Sequence, residues 1–103
     1  MSIYTVDRTK WQTQPLGTQL ANIGAEVGRS FAHTGKGRSI TPALERSLDL
    51  FDATVESRDL GSARRKEVLR AKEVYVRTYF DGSKNDQRSL EQYFTNYAFL
   101  RGK

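Results

Sequence analysis

Leu16, Leu20, Ile23, Val27 and Phe31 recur at steps of four, three, four and four residues. That spacing puts all five on one stripe of an α-helix, a pattern no strand can present on a single face. The stripe recurs further on. Leu44, Leu48, Phe51 and Val55 form a second, and Val68, Leu69, Tyr75, Val76, Tyr79 and Phe80 form an apolar arc. Leu90, Tyr93, Phe94, Tyr97 and Leu100 form the last. Polar turns of about four to eight residues between such helices favour antiparallel neighbours. The pattern therefore predicts an all-α fold, an up-down-up-down four-helix bundle. The short last segment leaves open three helices plus a packed C-terminal piece. The expected core is Leu20, Ile23, Val27, Leu48, Phe51, Val55, Leu69, Val76, Phe80 and Phe94.

Local signals set the expected boundaries. Pro15 suits a first turn, where a missing N–H is harmless, and the first helix runs from about Pro15 to Ala32. His33 to Ile40, with Gly35 and Gly37, reads as a loop. Thr41 caps the second helix with Pro42 at its first position. Arg58 to Gly61 is a short turn, and the third helix covers about Ser62 to Phe80, stopped by Gly82 in a left-handed conformation. Ser83 to Arg88 reads as a polar loop, and Ser89 with Gln92 as the capping box of the last helix. Residues 1–12 show no helical period and form an N-terminal arm, with Ile3, Tyr4 and Val6 extended. Residues 13–103 form one bundle domain, as expected for a chain of 103 residues.

Gly17, Ala21, Gly24, Ala25 and Gly28 lie beside the first stripe. Each helix glycine costs roughly 1 kcal/mol against alanine. Close approach of a second helix at this face would offset that, and a two-fold dimer seam is the other use of such a surface.

The net charge is +5. Arg64, Arg65, Lys66, Arg70, Lys72 and Arg77 share one helix with only Glu67 and Glu73 between them, which makes that helix a candidate polyanion surface. Arg65 and Lys72 fall inside its apolar arc at 100° per residue, where a cation must snorkel or pair. Glu26, Asp49 and Asp52 are the available partners. If such a pair is buried, removing Lys72 costs about 3–5 kcal/mol. Glu45, Asp49, Asp52 and Glu56 form an all-acidic row on the preceding helix. That row is a candidate docking face for a basic partner, a set of partners for the chain's own basic helix, or a solvated surface.

Three stretches together resemble a group of small prokaryotic helical-bundle proteins: Leu20 to Arg29 (LANIGAEVGR), Ala43 to Asp52 (ALERSLDLFD), and the basic helix ending Tyr79-Phe80-Asp81-Gly82 with Tyr93-Phe94 beyond it. The resemblance extends from Trp11 onward. It implies a helical bundle and carries no activity.

Known chemistries find little purchase. With one histidine and no cysteine, a zinc site, a disulfide framework and thiolate catalysis are not expected. Glu-x-x-His pairs for a di-iron bundle and an acidic calcium loop are missing. Gly35-Lys36-Gly37 lacks the spacing of a phosphate loop. Arg29 and His33 resemble the Arg-x(4–6)-His motif of HEPN-type ribonucleases, where the histidine would work at the ribose 2′-hydroxyl and the arginine would hold phosphate. Only three residues separate them, one too few. The charged N-terminus has no signal-peptide core and no run is apolar enough for a membrane span, so a cytoplasmic location is expected.

These readings converge on a non-enzymatic helical interaction module with no metal, cofactor or small-molecule substrate. Its expected partner is a protein or a second copy of itself. The alternative is a basic accessory bundle that binds nucleic acid through the third helix.

Overall fold

In a computed structural model, which describes residues 6–32, 40–58 and 60–101 and their side chains as far as residue 96, the protein has five helices and no strand among those residues. They are α1 (Arg8–Gln12), α2 (Leu16–Ala32), α3 (Pro42–Val55), α4 (Ser62–Asp81) and α5 (Lys84–Arg101). The expected loop at His33 and the side chains of Tyr97 and Leu100 lie outside the described residues, as do Ile3 and Tyr4.

Helix α2 is the hub, packing on both α3 and α5, while α4 lies against α3 and α5. Two registers can be read from side chains. Gly24 faces Phe94 and Gly28 faces Glu91, so α2 and α5 run antiparallel. Thr41 approaches Tyr79, Asp52 meets Lys72 and Val55 meets Arg65, so α3 and α4 do too.

The core is aromatic. Phe31, Phe51, Tyr75, Tyr79 and Phe94 form a connected cluster with ring centroids 5.8 to 6.5 Å apart. Leu20, Ile23, Val27, Leu44, Leu50 and Val68 surround them. The fully buried Tyr75 hydroxyl donates to Ser30 Oγ at 2.8 Å, which satisfies a polar group that burial would otherwise penalise. Burial pushes the Tyr75 phenol up, and its contacts with Ser30 and Ser47 only partly oppose that.

Four expectations need correction. The arm assigned to residues 1–12 contains helix α1, capped by Asp7, whose carboxylate accepts from Lys10 N–H at 3.3 Å. It docks on α3 through Trp11, which is buried and donates from Nε1 to Thr54 Oγ1 at 2.8 Å. One and a half turns are too few to display a period.

The last helix begins at Lys84, not at Ser89. The capping box is Ser83 with Asp86: Ser83 N–H donates to Asp86 Oδ2 at 2.9 Å and Asp86 N–H donates to Ser83 Oγ at 3.1 Å. Aspartate three residues after the cap does what the box assigns to glutamate or glutamine. Ser89 is an exposed residue within the helix, and the Gln92 amide donates to Asn96 Oδ1.

Gly82 does not adopt a left-handed conformation; its φ is −81°. Glycine is required there by space, because a Cβ would stand 2.7 Å from the Thr78 carbonyl oxygen.

The arc of α4 is rotated from its expected phase. Val68, Ala71, Tyr75, Thr78 and Tyr79 are its buried residues. Leu69 and Phe80, expected in the core, are 44% and 38% exposed. Leu48, Val55 and Val76 are half-buried.

Candidate functional site

The acidic row of α3 is largely engaged by the chain itself. Arg8 reaches from α1 to Asp49 at 2.9 Å and to Glu56 at 3.2 Å. Val6 N–H donates to the second Asp49 oxygen at 2.8 Å. Burial pushes the Asp49 carboxyl up, but the Arg8 and Val6 hydrogen bonds outweigh it and hold the group below the usual carboxylate range. The same contacts with Asp49 and Glu56 raise Arg8 further above its ordinary value. Asp52 accepts from Lys72 Nζ at 2.6 Å. Glu45 sits in the first turn of α3, where a negative charge suits the positive end of the helix dipole. Three of the row's four carboxylates, Asp49, Asp52 and Glu56, thus have partners within the chain.

Nor are the six cations of α4 gathered on one surface. Arg65 turns toward α3, where Nε donates to the Val55 carbonyl and Nη2 to the Ser57 carbonyl, at 3.1 and 2.8 Å. It thereby satisfies the carbonyl of Val55, the last residue of α3, which has no partner within the helix. Lys72, as expected, pairs with a carboxylate, Asp52. The pair is less buried than anticipated, with the two side chains 31% and 45% exposed. Arg64 pairs with Glu67 at 3.0 Å, and Arg77 stands 3.8 Å from Glu73. Lys66 and Arg70 are exposed and have no ion pair among the described residues.

A second charged cluster sits at α2. Glu26 is 7% exposed and accepts from both Arg29 and Arg46, the latter at 3.0 Å. Arg29 is thus a partner of Glu26. His33, the other half of the ribonuclease-like spacing, lies outside the described residues. Among the described residues no group of three or more His, Cys, Asp or Glu is placed to hold a metal ion. No helix there is long and apolar enough to cross a membrane.

The feature that the sequence did not announce is a groove. Helices α4 and α5 are joined by a tight turn at Gly82 and Ser83, and between them lies an open cavity of about 730 Å³. Its floor is apolar: Ala71 and Val74 from α4, Leu90 and Tyr93 from α5. Its charged residues are Glu67, Arg70, Arg77, Asp81 and Asp86, three carboxylates against two guanidinium groups. Glu67 also accepts from the Tyr93 hydroxyl at 3.3 Å, tying the two walls together. Val74 remains 37% exposed. Two signals could have found this site. Reading Ser83-x-x-Asp86 as the cap brings Asp86 and Ser89 onto α5 alongside Leu90. Centring the α4 arc on Tyr75 places Ala71 and Val74 on its flank.

No protein-family model, no curated protein and no solved structure matches this chain.

Proposed function

We propose that the protein is a non-catalytic interaction module that binds a helical protein segment in the groove between α4 and α5. The observation that carries this reading is the groove's lining. A groove that leaves Val74 37% exposed beside buried Ala71 and Leu90, flanked by charges of both signs, suits an amphipathic helix whose apolar face covers Val74 and whose polar edges meet the rim. A polyanion would find three carboxylates there against two cations, and half-sites of opposite sign do not attract phosphate. Along α4, Arg64, Arg65, Lys72 and the groove's own Arg77 have contacts within the chain, which lowers the free positive charge of the basic helix.

The fold finer than all-α is part of the same reading. The ring of neighbours α2, α3, α4 and α5, with antiparallel registers for α2 with α5 and for α3 with α4, supports an up-down-up-down bundle to which α1 is appended. Such a module would work in the cytoplasm.

The test is selection of amphipathic helices from a displayed library on the wild-type protein, followed by binding to two variants. Val74→Glu puts a charge in the groove, and Lys66→Glu reverses an exposed charge of α4 outside it. The reading expects affinity to fall at least about tenfold with Val74→Glu and to stay within about twofold with Lys66→Glu. Helices that ignore Val74→Glu would refute it. A single-stranded RNA bound with a steep salt dependence and lost on Lys66→Glu would put the nucleic-acid reading in its place.

A further inference from the structure

Building on the groove reading, we propose that the occupant is a second copy of this chain, its α4 packed antiparallel against the first across a two-fold axis. The groove-facing charges of α4 are complementary to themselves in one register. Setting Arg70 of one copy across from Asp81 of the other also sets Asp81 across from Arg70, as a two-fold axis requires. The same register lays Arg77 over Val74, so that the arginine's methylene stem covers the exposed valine while its head stays wet. It carries Glu67 toward the end of the second copy where Lys84 opens α5. All five of these side chains other than Glu67 are exposed, and Arg70 and Asp81 make no ion pair among the described residues, so each is available to the other copy. A parallel pairing sets Arg70 on Arg70 and Asp81 on Asp81, and like charges in contact oppose it.

The full chain is examined by sedimentation equilibrium from micromolar to millimolar concentration, at low and high salt. The proposal expects a particle of two chains that dissociates on dilution and more readily in high salt. Arg70→Asp and Asp81→Arg each place like charges across both symmetry-related contacts and should weaken the dimer about tenfold. The double variant Arg70→Asp/Asp81→Arg restores both pairs with their signs exchanged and should return the dissociation constant to within about threefold of wild type. Melting followed by circular dichroism should be nearly unchanged in all three, since both residues are exposed. A wild-type protein monomeric throughout overturns the proposal, and so does a dimer indifferent to the single variants or not rescued by the double. Loss of the dimer leaves the groove reading to its own test, because helix binding that depends on Val74 is measured on the monomer.

Discussion

Gly24 and Gly28 are indistinguishable in the sequence and differ in what stands above them. A Cβ on Gly24 would come within 2.7 Å of Phe94 Cβ, an atom fixed to the backbone of α5. A Cβ on Gly28 would come within 3.1 Å of Glu91 Oε1, the far end of an exposed, flexible side chain. Gly24→Ala should therefore destabilise the fold by about 1–3 kcal/mol through overpacking, despite alanine's better helix propensity. Gly28→Ala should be neutral or stabilise by up to about 1 kcal/mol, and urea unfolding of the two variants measures both. Phe51, with no exposed surface at the centre of the aromatic cluster, should cost about 3–5 kcal/mol on truncation to alanine. Lys72→Ala should cost below about 1 kcal/mol, because its pair with Asp52 is open to solvent and screened. Asp49 governs the acid response of the α1 contact. Its folded pKa lies below the unfolded one, so its contribution is complete above about pH 4–5. That contribution fades as pH falls through the lowered folded value. Thermal melts across this range should show a shallower acid limb for Asp49→Asn, with Arg8 remaining charged throughout.

Among the elements, α2 was legible from its long apolar stripe and the start of α3 from its cap, while the phase of α3 was only partly so, since Ser47 and Leu50 turn in and Leu48 and Val55 are half-buried. Leu20, Ile23 and Val27 are buried where the period places them, and Thr41 and Pro42 open α3 as read. Helix α4 was legible in extent but not in phase. Its apolar residues are spread over more than half its circumference, so Leu69 and Phe80 compete with Ala71 and Thr78 for the inward position. Only packing against α2 and α3 settles which pair turns in, and it favours the small residues that let Tyr75 and Tyr79 reach the core. Helix α1 was illegible by length, and α5 lost its first turn because two serines offered rival caps. That choice can be checked directly. Ser83→Ala removes the acceptor for Asp86 N–H and should lower stability by about 1 kcal/mol, whereas Ser89→Ala, at an exposed position inside α5, should be neutral or slightly stabilising.

For the molecule as a whole, the sequence pointed to charge as the functional signal, and the fold spends most of that charge internally. Arg8 and Lys72 engage the acidic row, Arg65 caps α3, and Glu26 gathers Arg29 and Arg46. Among the described residues, the seam where α4 and α5 diverge from their tight turn stays open, lined by residues from helices whose phase or start was misread. A groove between two helices has no linear signature; it follows from where each helix begins and which way it faces. The central claim is that this groove, and not the row on α3, receives a partner. The most direct measurement is an amide chemical-shift titration of the labelled protein with a helix selected on the wild type. The largest shifts are predicted at Arg70 to Gly82 of α4 and Asp86 to Tyr93 of α5. Shifts concentrated from Glu45 to Glu56 of α3, with the groove amides still, would contradict it.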